Sequence, residues 1–429
     1  MLTKLKKERF IFVTLFLLCV FLTFNKHSKD KANTYHGVIW ADAAGYYVYA
    51  PMWFIYGNQA IDFPDSIEVK TGNGFQLDKI NNKVNTKYFC GTALLETPFF
   101  LASHLLAKPF GYKADGFSKI YSFGIFFSGI FYCCFGLFLL SKFLTRHFSP
   151  FISFIAPLLF LAGSNLYYYA IDAPGMSHVY SFFLFSAIIY LTPYLLTKSN
   201  FKYYLLFFCC LILAVLTRPT NILIGLFPLF YSIKNKNDFF ERIYYLLKNK
   251  AFISISLLLS LLLLIPQLLY WYSKTGNLIT YSYENESFIF WKNPKLLEVW
   301  FSTNNGLFTY TPLLAVSLAG IILMIKKKEW LGYFTGILFL IISYIFASWW
   351  NWWFGCSFGA RSFVEYYALF CIPLAYLLEY AFKHKFYRYI LILAIILCCY
   401  LNMDMEYYYD GCFYGDTWDI TTYLKLLNS

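Results

Sequence analysis

Charge is what this chain has least of. Only 14% of its residues are Asp, Glu, Lys or Arg, against roughly 25% in a soluble globular domain. Hydrophobic residues make up 59% and aromatics 23%, and the mean hydropathy is +0.53. That balance excludes a soluble domain, and with it the usual conversion of length into domain count. A metal-binding cysteine pattern is also missing. Most of the 11 cysteines lie inside apolar runs, as in Cys133-Cys134, Cys209-Cys210 and Cys398-Cys399, where a thiol serves as a small packing group. Cys90, Cys356 and Cys412 fall outside those runs, and their spacing supports no disulfide. No internal repeat is visible, and the one low-complexity tract is a leucine run over 257–264. Lys4, Lys6, Lys7 and Arg9 precede the first apolar run, but no convincing small-x-small cleavage site follows it. The run therefore reads as an uncleaved first span rather than a signal peptide.

What is present is a succession of apolar segments. Judged against the ~20 residues needed to cross a bilayer, they predict an all-α, polytopic bundle of about 11 spans. The segments are 10–24, 118–141, 150–168, 178–196, 203–217, 219–233, 252–272, 306–325, 330–347, 363–382 and 389–401. Arg218-Pro219 divides the fifth from the sixth, which form either a tight hairpin or one broken element. Net charge is +12, but the basic residues sit in short clusters between apolar segments, so no nucleic-acid partner is expected. With the amino terminus cytoplasmic, inside segments hold roughly 19 of the 35 Lys and Arg, as the positive-inside rule asks. The Lys, Asn, Ile and Phe bias suits an AT-rich bacterial genome, and places the chain in a bacterial plasma membrane. Residues 1–401 form the transmembrane domain, and 402–429 an acidic, aromatic tail on the outer side. The first outer loop, 25–117, is the only large polar portion. Its Tyr- and Trp-rich 43–56 and its apolar 91–110 are expected to lie along the membrane surface.

Asp42, in Trp40-Ala41-Asp42-Ala43-Ala44-Gly45-Tyr46-Tyr47, is the most informative residue. It stands just beyond the first span, beside an aromatic interfacial segment, where a carboxylate suits chemistry on a lipid-linked substrate. Alone it reads more simply as a helix cap. The same predicted outer face collects Asp172, Arg218, Glu284, Glu286 and Arg361. Five helices begin there, offering unpaired N–H groups and positive dipole ends to an anion such as phosphate. Each residue has a plainer reading. Asp172 suits a turn before Pro174-Gly175, and Arg218 a snorkelling anchor. Arg361 and Glu365 stand at i, i+4 and suit a mutual pair, and His178 a structural hydrogen bond. Trp349, Trp350, Trp352 and Trp353 suit an aromatic belt, although four in one short loop also suit stacking on a sugar. Asn285-Glu286-Ser287 fits a glycosylation acceptor, a pattern with many chance matches.

The order of short motifs resembles the GT-C fold glycosyltransferases. It is closest to the bacterial branch related to protein mannosyltransferases, aminoarabinose transferases and lipopolysaccharide-core galacturonosyltransferases. The matching pieces are Asp42 to Tyr47, then Lys87-Tyr88-Phe89-Cys90-Gly91-Thr92 with Pro98-Phe99-Phe100. After these come Pro174-Gly175-Met176-Ser177-His178 and Thr217-Arg218-Pro219-Thr220-Asn221. Asn305-Gly306-Leu307-Phe308 with Pro312, and Trp349-Trp350 through Gly359-Ala360-Arg361, complete the set.

The resemblance implies a donor sugar on a polyprenyl phosphate, and a glycan, lipid or protein acceptor whose hydroxyl attacks the anomeric carbon. Asp42 would take the hydroxyl proton. Lys87, Arg218 and Arg361 would hold the leaving phosphate, with Tyr88 as a hydrogen-bond donor. Asp172 and His178 would orient the acceptor, or Asp172 would act as a second carboxylate, and Trp349 and Trp350 would stack on sugar. Many relatives carry two adjacent acidic residues after the first span, whereas Ala43 follows Asp42 here. No cofactor is therefore expected from these residues, and metal dependence stays open. The rival functions are a flippase or transporter of lipid-linked sugars and an oligosaccharide polymerase. The first commonly shows repeated halves and mid-membrane charges, and the second a large outer loop late in the chain.

Overall fold

A computed structural model describes residues 2–28, 38–284, 286–409, 412 and 417–427. Of the described residues, 71% are helical. Among the described residues there is one sheet, an antiparallel hairpin of Gln76–Asp78 with Lys83–Asn85.

Among the described residues, six helices are long and apolar enough to cross a membrane: Lys119–Leu144, Ser177–Thr197, Lys250–Thr275, Trp330–Ser348, Arg361–Phe382 and Lys385–Tyr408. The first expected span lies in a 26-residue helix, Leu2–His27, and the other four coincide with apolar helices of 10–17 residues, short of the ~20 that a crossing needs. The helix Arg361–Phe382 is enclosed, whereas Lys250–Thr275 and Lys385–Tyr408 expose most of their apolar surface. Exposed Leu258, Leu262, Leu393, Ile396 and Leu397 make such faces. Lipid, not water, is the solvent in which that surface carries no penalty.

Chain breaks follow local chemistry. Phe201–Thr217 stops at Arg218, whose extended backbone (φ −156°, ψ 125°) is what a residue before proline prefers. A 3-10 turn, Pro219–Leu226, follows and packs back along the helix it leaves, with Gly225 against Leu211, so the fifth and sixth expected segments form a tight hairpin rather than one broken element. The helix Lys385–Tyr408 runs unbroken, so the expected domain boundary at 401/402 falls inside it.

The segment expected to be the first outer loop is folded over its described residues 38–117. Asp42–Tyr47 and Tyr49–Phe54 are short helices, and Gly91–Ala107 is a longer one that packs on Lys119–Leu144. Two apolar cores result. The larger joins the bundle helices, and the smaller gathers Tyr47, Tyr49, Phe75, Phe100, Tyr270 and Trp271 around the loop. The helix Asp42–Tyr47 lies between them, since Ala43 packs into the larger core and Ala44 into the smaller. Asp42 is thereby fixed at the seam.

Candidate functional site

Asp42 is the first residue of its helix, and its side chain caps nothing. The carboxylate points elsewhere. Its Oδ2 accepts a hydrogen bond from Arg361 Nη2 at 2.7 Å, and its Oδ1 accepts the Tyr88 hydroxyl. Gly45 permits the second contact, because a Cβ there would stand 2.3 Å from the Tyr88 ring. The preceding residue, Ala41, has φ 46° and ψ −124°, a conformation that costs a non-glycine residue on the order of 1–3 kcal/mol. Such strain beside a charged side chain is a feature of functional sites.

Burial pushes the Asp42 carboxyl upward, but the Arg361 charge, the Tyr88 hydrogen bond and Lys87 together outweigh it. The group is held below the usual carboxylate range and is ionised at neutral pH. The Tyr88 phenol moves the other way, well above its ordinary value, through burial and then the Asp42 charge. Tyr88 therefore stays protonated and donates its hydroxyl proton to Asp42.

A second cation stands nearby. Arg218 and Arg361 interact electrostatically with each other, and both with Tyr46. Arg218 does not snorkel. Its Nη1 lies 3.6 Å from Glu365 Oε1, its Nε donates to Ser177 Oγ at 3.2 Å, and its Nη2 lies 3.3 Å from His178 Nε2. His178 Nδ1 lies 3.2 Å from Glu365 Oε2. The expected pair between Arg361 and Glu365 does not form: Arg361 turns to Asp42 and Glu365 to Arg218. His178 is wholly buried, so it reaches the site only through Arg218 and does not itself face an acceptor.

The rim is aromatic. Lys87 pairs with Glu286, and its Nζ lies 5.6 Å from the Tyr88 ring centroid and 5.7 Å from that of Tyr283. Trp349 stands edge-on to Tyr283 at 5.9 Å and to Phe288 at 4.9 Å. Trp350 is partly exposed, whereas Trp352 is buried and packs on Trp353 at 5.4 Å. The four tryptophans therefore do not share one stacking surface, and Trp349 alone faces the Tyr88–Tyr283 side.

Asp172 is engaged elsewhere. Its Oδ2 lies 3.2 Å from Lys26 Nζ, which also faces Glu406 at 3.8 Å. Through Lys26 it joins the end of the first helix to the helix Lys385–Tyr408, and it makes no direct contact with Asp42. Among the described residues, no group of three or more His, Cys, Asp or Glu is arranged to hold a metal ion. Asn285, the candidate glycosylation acceptor, lies outside the described residues.

A disulfide joins Cys356, in the loop leading to Arg361, to Cys412. Asn305 secures the same loop, donating to the carbonyls of Trp353 and Gly355 and to Ser357 Oγ at 2.9, 3.0 and 2.9 Å. Cys90 is a free, buried thiol.

Asp42, Lys87, Tyr88, Arg218, Trp349 and Arg361, far apart in sequence, thus lie in one neighbourhood. Sequence reading missed the roles of Glu365, Tyr46 and Tyr283. A signal for Glu365 was present, since an ionisable residue in the apolar stretch 363–382 needs a partner. In comparisons with known proteins, no family model matches the chain and no curated protein sequence matches it.

Proposed function

We propose that the chain is a bacterial plasma-membrane glycosyltransferase of the GT-C type, with about 11 spans. It moves a sugar from a polyprenyl-phosphate carrier to an acceptor hydroxyl on the extracytoplasmic face, in glycosylation of an envelope glycan, lipid or protein. The observation that carries this reading is the ionised Asp42 carboxylate, held by Arg361 and Tyr88 beside a second arginine.

In this reading the acceptor oxygen adds to the anomeric carbon as the bond from that carbon to the phosphate oxygen breaks. The electron pair leaves with the polyprenyl phosphate. The acceptor proton passes to Asp42 late in the step, when partial bond formation has acidified the hydroxyl. A carboxylate below its usual range is a weak base toward a free alcohol, but is competent toward that acidified oxygen. Arg361 keeps 13% of its side chain exposed while bound to Asp42, so the guanidinium stays within reach of the leaving phosphate. A single displacement inverts the anomeric centre. The Cys356–Cys412 disulfide suits an oxidising, extracytoplasmic location for the loop that bears Arg361.

The test is reconstitution of the full chain in liposomes with radiolabelled polyprenyl-phosphate sugars and a cell-envelope extract as acceptor. Label on the acceptor is the expected result. Label that only changes leaflet would replace this reading with a flippase.

A further inference from the structure

We infer that Glu365 is a positioning residue: acting directly and through His178, it aims Arg218 at the phosphate of the lipid carrier. The inference rests on the transferase reading and extends it to residues that cannot touch substrate.

Hydrogen-bond chemistry fixes the direction of the network. A guanidinium only donates, so the 3.3 Å contact from Arg218 Nη2 requires a lone pair on His178 Nε2. The ring proton of neutral His178 is then on Nδ1, which donates to Glu365 Oε2 at 3.2 Å. Protonating Nε2 would set two donors against each other. His178 is thus a neutral spacer held in one tautomer, not an acid or a base.

Glu365 completes the frame from a second direction, with Oε1 3.6 Å from Arg218 Nη1. Ser177 Oγ accepts from Nε at 3.2 Å. Glu365 and His178 have 0% exposed side chains, whereas Arg218 keeps 15%. The buried pair is therefore a socket, and only the arginine emerges from it. Tyr46, Tyr283 and Arg361 also act electrostatically on this guanidinium.

Three separate elements supply the socket: the start of Ser177–Thr197, the break before Pro219, and the 3-10 turn Arg361–Tyr366. Arg361 and Glu365 share that turn, so one rigid piece sets both guanidiniums, gripping Arg218 through Glu365 and carrying Arg361 directly. Two cations at fixed separation suit the two non-bridging oxygens of a phosphodiester.

The experiment uses the full chain in detergent and in liposomes, with two readouts: sugar transfer, and the thermal shift given by polyprenyl phosphate alone. Glu365→Gln is expected to lower kcat/KM by up to about 100-fold, the scale of a small misplacement in a site, and to weaken polyprenyl phosphate binding. Glu365→Asp, which keeps the charge, is expected to restore part of both. In an Arg218→Ala background, Glu365→Gln is expected to add no further loss, because both substitutions remove one interaction.

Losses that add in this cycle, or unchanged transfer and binding in a well-folded Glu365→Gln variant, would overturn the inference. If Glu365→Gln fails to fold, Glu365→Asp and His178→Asn are put through the same cycle with the same criteria. Wild-type protein that binds polyprenyl phosphate without transferring sugar would sink the transferase reading, while the binding cycle still decides the role of Glu365. Wild-type protein that does neither overturns both.

Discussion

Arg361 Nη2 and Asp42 Oδ2 meet at 2.7 Å although 319 residues separate them in the chain. The contact closes the seam between the short helix Asp42–Tyr47 and the enclosed helix Arg361–Phe382. It also makes each charge the condition for the other. Without Arg361, burial would drive the Asp42 carboxyl toward its neutral form. Without Asp42, the guanidinium would lose its strongest partner.

Asp42→Asn is therefore expected to abolish most transfer, by about 10²–10⁴-fold, the range for loss of a general base. It should also destabilise the fold by about 1–3 kcal/mol, the cost of stranding a charged hydrogen-bonding partner. The stability difference depends on pH in a defined direction. Asp42 has a depressed folded pKa, so its contribution is full above the unfolded value of about 3.9 and is lost as pH falls through the folded value. Melting of both proteins should show a constant gap between about pH 5 and pH 8 that closes below about pH 4. A gap that closes near neutral pH would mean that the carboxyl is not held ionised.

The strain at Ala41 gives a second test. Its positive φ suits glycine, and no Cβ contact is needed for the backbone bonds it makes, N–H to Thr71 O at 2.8 Å and C=O to Gly45 N–H at 3.1 Å. Ala41→Gly is expected to raise the melting temperature, with about 1 kcal/mol gained from relief of the side-chain clash. If the strain aims Asp42, the same variant loses transfer while gaining stability. Higher stability with unchanged transfer would separate the strain from the chemistry.

Much of the helical order was readable because apolar segments carry a strong signal and because proline and glycine punctuate it, as at Arg218-Pro219. Asp42, Arg218 and Arg361 were foreseen on a shared face, from the alternation of basic clusters, and Lys87 joined them only through the family resemblance. Partner choice was not readable. The i, i+4 spacing of Arg361 and Glu365 favoured a local pair, but the segment Arg361–Tyr366 is a 3-10 turn. Its tighter winding changes the angular relation of the two side chains, and each finds a distant partner. The disulfide was equally hidden, since Cys356 and Cys412 are 56 residues apart and only tertiary folding brings them together.

Reduction of that disulfide, or Cys356→Ala with Cys412→Ala, is expected to cost about 2–4 kcal/mol of stability. The tail should become the most easily cleaved part of the chain. Transfer should fall only in part, because Asn305 continues to hold the Trp353–Ser357 stretch through its three hydrogen bonds. Asn305→Ala combined with reduction should lose more than the sum of the two changes, as expected when two restraints hold one loop. Thiol labelling with and without reductant gives the direct check: neither cysteine should react before reduction.

Glu96 offers the sharpest contrast with Asp42. It is 1% exposed, its Oε1 accepts the Tyr180 hydroxyl at 3.0 Å, and its Oε2 has no hydrogen-bond partner among the described residues. Among the described residues no cation compensates its burial, and the carboxyl is pushed well above its ordinary value, which favours the neutral form. A raised carboxyl pKa has the opposite linkage. Above the unfolded value of about 4.3 the unfolded chain releases a proton that the folded chain retains, so stability falls as pH rises. Gln keeps the shape and the acceptor for Tyr180 without a titrating group. Glu96→Gln should therefore equal or exceed the wild type at neutral pH, with an advantage that widens by up to about 1.4 kcal/mol per pH unit. Glu96→Ala, which strands the Tyr180 hydroxyl, should cost about 1–3 kcal/mol. Melts of the three proteins between about pH 5 and pH 8 decide it. A Gln variant as damaged as the Ala variant would mean that Glu96 is ionised in the fold and has a cationic partner.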